Sequence, residues 1–187
     1  MFESKLPNLS VSIFSQMSGL ASQHSAINLS QGFPEFDAPE LLKNQLNFYV
    51  QQGVNQYSPS SGVPRLQQQI ANLVSRKHAA NIDAAEQVTV TSGATEALFV
   101  AIQTIVRPDD EVIVFDPAYD SYQPAIELAG GKTVHIALHA PDYAIDWQTV
   151  RSAVSKNTRA IIINTPHNPS GKILKIHDKN ALKSLVN

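Results

Sequence analysis

The chain has 187 residues, of which 43% are hydrophobic, so it is long enough to bury a core of its own. The formal net charge is -2 and the 14 basic residues are scattered, which argues against a surface for nucleic acid or an anionic membrane. Zero cysteines exclude disulfides and thiolate metal sites. No apolar run approaches the ~18 residues of a membrane span, and the N-terminus lacks the apolar core of a signal peptide. We therefore expect a cytoplasmic protein whose partner is a small molecule.

Residues 1–36 are predicted to form an arm that precedes the main domain. A short helical pattern that includes Phe14 and Met17 is followed by an extended segment at residues 27–29. From residue 37 to residue 187 the patterns become regular, and we assign them to one domain.

Two helices are predicted at the start of this domain. Asp37 is a candidate N-cap, Pro39 stands in the first turn, and Gly53 follows as a stop signal. A turn-rich segment at residues 57–64 then leads into a second helix, whose apolar side chains recur at helical spacing. Those side chains are Leu66, Ile70, Leu73 and Val74.

From residue 87 onward, short β-rich runs alternate with helical patterns. Strands are predicted at residues 88–91, 112–115, 134–138 and 160–163, and helices at residues 95–106, 119–129 and 146–155. The second and fourth strands are continuously apolar, as expected of parallel strands that are covered on both faces. The sequence therefore predicts an α/β fold, a mostly parallel sheet with helices on both faces.

In such a sheet, ligands bind beyond the carboxyl ends of the strands, so function is sought in the loops that follow them. After the first strand, Ser92–Glu96 is a small-residue turn into a helix, whose N–H groups and positive dipole end favour a phosphate. Such a turn also occurs for geometric reasons alone. It has the spacing of neither a dinucleotide-binding nor an ATP-binding glycine loop, which disfavours NAD and ATP.

Two further loops carry side chains that suit a flat, polar ligand. After the second strand, Tyr119 stands at the sheet edge, where its ring can stack on a heteroaromatic ligand or simply pack against a neighbouring loop. After the fourth strand, Asn164–Gly171 contains two prolines and a glycine, which fix the backbone and can hold the Asn168 amide in place. Asn168, which precedes a proline, can equally be a turn former.

No metal site is predicted from residue spacing. His135 and His139 lie on one side of a predicted strand but about 13 Å apart at ~3.3 Å per residue, which is too far to share an ion. The acidic run Asp109–Glu111 is interpreted as a solvated turn. No paired carboxylates and no Ser/His/Asp arrangement can be assigned from spacing.

Five segments stand in a characteristic order along the chain: Asn28–Phe36, Tyr57–Gly62, Ser92–Glu96, Asp116–Tyr122 and Asn168–Gly171. Together they resemble the large domain of fold-type-I pyridoxal-phosphate enzymes of the class I and II aminotransferase family. The resemblance covers nearly the whole chain, and it is strongest to the group of methionine aminotransferases and kynurenine and glutamine transaminases. It implies an incomplete large domain of that fold, preceded by an N-terminal arm.

The resemblance implies a cofactor role for several matching residues. Gly93, Ala94 and Thr95 would hold the phosphate of pyridoxal 5'-phosphate, and Tyr119 would stack on its pyridine ring. Asn168 would hydrogen-bond the phenolic oxygen of the cofactor and lie near the substrate carboxylate.

The resemblance also implies substrate and partner contacts. Gly32 would let the backbone approach the substrate carboxylate, and Phe14 would line the side-chain pocket. Tyr57 would reach the cofactor phosphate of the partner subunit, because family active sites form at the interface of a homodimer. The implied substrates are an amino acid, either methionine or a large apolar or aromatic one, and a 2-oxo acid.

No catalytic residue is assigned to this chain. The family's Asp-Glu-x-Tyr segment, its Ser-x-x-Lys segment with the Schiff-base lysine, and its late arginine are all expected after residue 187, so the chain resembles an N-terminal half and is expected to be inactive alone. Lys172 is interpreted as a solvated surface residue. Three interpretations stay open: a piece of an aminotransferase, a carbon–sulfur β-lyase on the same fold, and a non-catalytic remnant.

The resemblance finally predicts an incomplete sheet. In the family, the strand at residues 88–91 lies beside a strand that comes after residue 187, whereas the other three lie together. We therefore expect an orphaned first strand, an uncovered apolar face at Leu182 and Val186, and aggregation of the isolated chain.

Overall fold

A computed structural model of the chain describes residues 3–7, 9–32 and 34–186. It divides into two compact units, Val11–Ser92 and a second unit that joins Met1–Ser10 to Gly93–Asn187. No helix among the described residues is long and apolar enough to cross a membrane. The predicted boundary between an arm and a domain at residues 36 and 37 stays a prediction.

The unit Val11–Ser92 is helical, as the spacing of apolar residues predicts. Its helices are α1 (Ile13–Gln23), α2 (Glu40–Gln51), α3 (Pro64–His78) and the single turn α4 (Ala84–Gln87). Pro64 starts α3 because the first helical position needs no N–H donor. The short α4 was not predicted from the sequence. Asp83 caps it by accepting hydrogen bonds from the N–H groups of Ala85 and Glu86.

The prediction that Asp37 caps α2 is wrong. The N-cap residue is Pro39, and no side chain caps the helix. The Asp37 carboxylate instead pairs with the Lys43 ammonium and accepts a hydrogen bond from the Ala38 N–H. These two donors occupy the carboxylate that would otherwise accept from the first N–H groups of the helix. Gly53, at φ +74°, follows the helix as predicted.

The second unit is built around a parallel sheet of three strands. They are β1 (Glu111–Asp116), β2 (Lys132–Ala137) and β3 (Thr158–Ile161), in the spatial order β2-β1-β3. The helices of this unit are α5 (Ala94–Ile105), α6 (Tyr122–Leu128), α7 (Trp147–Ala153) and α8 (Ile176–Val186). The α/β fold that was predicted from residue 87 onward, a mostly parallel sheet with helices on both faces, is confirmed in this unit, which begins at Gly93.

The central strand β1 divides the core into two layers. Val112 and Val114 point into one cluster, which contains residues of α5 and α6. Ile113 and Phe115 point into the other, which contains residues of β2, α7 and α8. Since side chains alternate along a strand, a continuously apolar strand serves both faces at once. Burial of each such side chain contributes about 1.5–3 kcal/mol.

The helix α8 is anchored by a buried carboxylate. The Trp147 indole N–H donates to Asp178 Oδ1 at 2.9 Å, and the Lys175 N–H donates to Asp178 Oδ2 at 2.8 Å. Burial tends to raise the pKa of Asp178, but these hydrogen bonds outweigh it and hold the pKa below its usual value. Contrary to prediction, Leu182 is partly buried against the core under α8, whereas Val186 is exposed.

The predicted strand at residues 88–91 is not formed in the structure. Its main chain is held within its own unit: the Val90 N–H donates to the Ser61 carbonyl, and the Val88 carbonyl accepts from the Gln67 side chain at 2.7 Å. None of the three strands among the described residues pairs with this segment. The segment has the composition of a strand, but it forms none here because a strand needs a neighbouring strand with which to exchange hydrogen bonds.

Gly62 lies against this segment, and we expect Gly62→Ala to destabilise the fold. At φ +111° a side chain is strained, and an added Cβ would lie 2.6 Å from Val90 Cγ2. The loss should be about 2–4 kcal/mol, as backbone strain and overpacking add. Gly53→Ala is the matched control, because its φ is +74° but an added Cβ meets no atom within 4 Å; it should lose only about 1 kcal/mol. Urea unfolding of the complete polypeptide measures both, and equal losses would contradict the steric argument.

Candidate functional site

The first part of the site is the N-terminus of α5. Gly93 is the N-cap residue at φ +88°, a backbone conformation that favours glycine, and it has no side chain with which to cap the helix. An added Cβ there would meet no atom within 4 Å, so the space in front of the helix is open. Gly93, Ala94 and Thr95 are exposed. A helix N-terminus of this kind attracts anions, since its dipole is positive and its N–H groups point outward.

A hydrogen bond joins this helix start to the loop after β1. The hydroxyl oxygens of Thr95 and Tyr119 are 2.8 Å apart. Two residues that the sequence placed on separate loops, 24 positions apart, are therefore neighbours in the fold.

The loop after β3 joins the same group through Tyr122. The rings of Tyr119 and Tyr122 pack edge to face, with centroids 5.7 Å apart and an interplanar angle of 79°. The Asn164 side chain, at the start of the predicted Asn164–Gly171 loop, lies close enough to the Tyr122 hydroxyl to lower its pKa, and both residues line one cavity. The contacts Thr95–Tyr119–Tyr122–Asn164 thus bring the three predicted loops together, although the first loop follows a segment that is not a strand.

A cavity of about 320 Å³ opens beside Tyr122 and Asn164 at the carboxyl ends of the strands. Phe115, Leu138 and Ile163 form its apolar floor. Lys172 also lines it.

Lys172 is partly buried and lines this cavity, and its interpretation as a solvated surface residue stays a prediction. The long aliphatic part of a lysine side chain can cover apolar surface while its ammonium group stays in contact with water.

A second cavity, of about 500 Å³, lies on the other side of the tyrosine pair. Tyr119 lines it, together with Asp116, His135 and the N-terminal residues 5–7 and 9–10. His135 Nδ1 and Asp116 Oδ2 are 2.9 Å apart, so they connect β2 to the end of β1. Sequence analysis missed this pair. The pairing register of the two strands would have indicated this contact. Val114 is opposite His135, and Asp116 is two residues further along on the same face of the sheet.

Asn168 is exposed, and it lines neither of these cavities. Its loop is closed by the His167 ring nitrogen and Ser170 hydroxyl, 2.7 Å apart, and by the Gly171 N–H, which donates to the His167 carbonyl at 2.6 Å. Gly171 has a φ of +73°. These contacts close the loop on itself, whereas its rigidity and the contact of Asn168 with a cofactor stay predictions.

The three remaining predicted site residues belong to the unit Val11–Ser92. Phe14 is partly buried on α1, Gly32 is exposed, and Tyr57 is fully exposed. Their predicted contacts with substrate and partner stay predictions.

The fold and these contacts define a class of protein. The model of the family described as aminotransferase class I and II matches residues 24–187, and the chain belongs to that family. Its structure is the incomplete large-domain fold expected from the sequence.

Among its relatives, methionine aminotransferase of Escherichia coli strain K12 is 52% identical over 180 residues, which cover 96% of this chain and 47% of that protein. The crystal structure of YbdL from Escherichia coli, identified there as a methionine aminotransferase, has a TM-score of 0.94 at 50% identity and matches 100% of this chain and 49% of its own. Human kynurenine–oxoglutarate transaminase 3 is 32% identical over 192 residues, which cover 97% of this chain and 42% of that protein. The chain therefore spans about half the length of the curated relatives it matches.

Proteins of this family depend on pyridoxal 5'-phosphate, and the residues present fit that cofactor. The open, positive end of α5 beside the Thr95 hydroxyl suits a phosphate group. The Tyr119 ring, fixed by Tyr122, suits a flat heteroaromatic ring.

Proposed function

We propose that this chain is the N-terminal part of a pyridoxal-phosphate-dependent aminotransferase that transfers an amino group from methionine, or from a large apolar or aromatic amino acid, to a 2-oxo acid. The observation that carries the proposal is the contact chain Thr95–Tyr119–Tyr122–Asn164, which gathers three loops at the N-terminus of α5. Relatives that carry the names methionine aminotransferase and kynurenine–oxoglutarate transaminase support the substrate class.

The chain contributes binding and orientation. Gly93, Ala94 and Thr95 would hold the cofactor phosphate, and the Tyr119 ring would stack on the pyridine ring. Asn168 would hydrogen-bond the phenolic oxygen. When bound, pyridoxal phosphate acts as an electron sink for the bonds at the substrate Cα.

Proton transfer requires a group that this chain does not supply. None of its lysines stands in the Ser-x-x-Lys context of the family. The covalent attachment of the cofactor and the general base at the substrate Cα therefore come from a further part of the polypeptide. We propose that this polypeptide is about twice as long as the chain, since the chain matches 47% of the methionine aminotransferase.

The proposal includes a homodimer with shared active sites. Tyr57 is fully exposed, which suits a side chain that reaches the phosphate site of a partner subunit. The helix α5 leaves the large apolar side chains of Phe99 and Val100 exposed, and α2 has no buried residue. Apolar helix faces without cover are typical of surfaces that bind another chain. Gly32 and Phe14 would contribute to the substrate pocket of this assembly.

The test is an assay of the complete polypeptide with methionine and several 2-oxo acids. We expect amino transfer that depends on the 2-oxo acid, and Tyr119→Ala should raise the Kd for pyridoxal phosphate about tenfold. Release of ammonia and pyruvate from an S-substituted cysteine, without a 2-oxo acid, would instead indicate a β-lyase. A stable native species of 20.4 kDa, measured by mass spectrometry, would indicate a non-catalytic remnant.

A further inference from the structure

Tyr122 lies at the centre of the contacts that join the three loops. It is the first residue of α6, only 8% of its surface is exposed, and it packs in the cluster that contains Ile102 and Val106. A buried tyrosine needs a partner for its hydroxyl group. The polar side chain beside the Tyr122 hydroxyl is that of Asn164, which lowers its pKa.

The two ends of the Tyr122 side chain contact different loops. Its ring packs edge to face on Tyr119, at 5.7 Å between centroids. Its hydroxyl lies beside the Asn164 side chain, which lowers its pKa, and both residues line the cavity at the strand ends; Asn164 follows β3 and precedes the loop around Asn168. Motion of either loop must therefore displace the same side chain.

We propose that Tyr122 is a positioning residue of the aminotransferase site, which fixes the orientation of the Tyr119 ring with its own ring and the position of the Asn164–Gly171 loop with its hydroxyl. This inference rests on the proposed function, because it concerns the ring assigned to the cofactor. Tyr122 itself touches neither cofactor nor substrate. It acts through its two neighbours.

The electrostatic environment keeps the hydroxyl group in the form that this role requires. Burial raises the pKa of Tyr122, and Tyr119 raises it further, while the hydrogen bond with Asn164 lowers it; the net direction is upward. The phenol stays protonated throughout the physiological pH range, so it can both donate and accept a hydrogen bond.

The experiment separates the ring from the hydroxyl in the complete polypeptide. Tyr122→Leu removes the edge-to-face contact, and we expect it to raise the Kd for pyridoxal phosphate about three- to tenfold. Tyr122→Phe keeps the ring and should leave that Kd within about twofold of wild type. Because Tyr122→Phe releases Asn164, it should raise the KM for the amino acid about threefold with a smaller change in kcat.

A variant of a nearby core residue distinguishes a positioning role of Tyr122 from a purely structural one. Ile102→Ala lies in the same cluster, at 4% exposure, and contacts the loops of the site through no hydrogen bond or ring pair. It should lower the melting temperature while it leaves the cofactor Kd unchanged. If Tyr122→Leu binds pyridoxal phosphate as wild type does, or if Ile102→Ala weakens binding equally, the inference is wrong.

A double-mutant cycle covers the case in which Tyr122→Leu does not fold. Tyr122→Phe and Asn164→Ala should be non-additive in kcat/KM, since each removes one side of the same contact. Additive effects would overturn the inference. Failure of the wild-type protein to bind pyridoxal phosphate at all would overturn the proposed function, whereas wild-type binding with an unaltered Tyr122→Leu variant overturns this inference alone.

Discussion

The 187-residue chain by itself, saturated with pyridoxal phosphate and supplied with methionine and a 2-oxo acid, is expected to transfer no amino group. It carries residues for binding, but no lysine in the Ser-x-x-Lys context that would attach the cofactor and move the proton at the substrate Cα. Loss of a general base alone costs about 10²–10⁴ in rate, and loss of the covalent attachment adds to it. The measurement is formation of the new amino acid by chromatography, over hours and at high enzyme concentration.

Two controls make this result interpretable. The complete polypeptide, assayed under the same conditions, should be active, and Tyr119→Ala should weaken its cofactor binding. Lys172 and Lys175 line the cavity at the strand ends, so Lys172→Ala and Lys175→Ala in the isolated chain should change nothing. Turnover by the isolated chain that disappears in either variant would show that the chain contains its own catalytic group.

Local patterns predicted much of this fold because each strand and helix carries its own signal. The run Val112–Phe115 indicated a strand buried on both faces, and β1 is the central strand with both faces covered. The glycine at position 53 indicated a helix end, and it has the positive φ that such an end requires. These signals lie within a few residues of the structure they specify.

Features that depend on distant partners could not be predicted in this way. The segment 88–91 has strand composition, yet its hydrogen bonds go to Ser61 and Gln67, because pairing depends on a neighbour that composition does not reveal. Asp37 has the right spacing for a cap, but Lys43 lies close enough to bind it. In both places, the hydrogen-bond partners that compete for a group decide its structure, and the local preference of the residue for a strand or a helix cap does not.

The candidate site likewise has some residues that local patterns indicated and others that only the folded arrangement reveals. The loops were predicted from strand ends, and Tyr119 and Thr95 are indeed in contact. Tyr122 was not singled out, because at helical spacing it resembles any core aromatic residue. Its importance comes from Asn164, which lies 42 positions further along the chain, and only the folded arrangement brings the two together.

The isolated chain has an open sheet edge and exposed apolar helices. Among the described residues, β3 is bonded to β1 on one side and to no strand on its other side. Exposed apolar side chains lie on α5 and near α8, with Val100 at 52%, Ile173 at 62% and Val186 at 69% exposure. An unpaired edge offers N–H and C=O groups to any other chain, and apolar patches add a driving force that does not depend on sequence.

We therefore expect the isolated 187-residue chain to self-associate and to lack one cooperative unfolding transition. Analytical ultracentrifugation at several concentrations should show a broad, concentration-dependent distribution, and urea unfolding should give a shallow curve rather than the steep one of a two-state domain. Co-expression with the remaining part of the polypeptide is the control, and it should restore a single species because it supplies the missing strand neighbour. A Val100→Lys variant of the isolated chain should reduce association without abolishing it, since the β3 edge remains open. A monodisperse isolated chain with one steep transition would contradict this prediction, for it would mean that the edge of β3 and the exposed helix faces are satisfied within the chain itself.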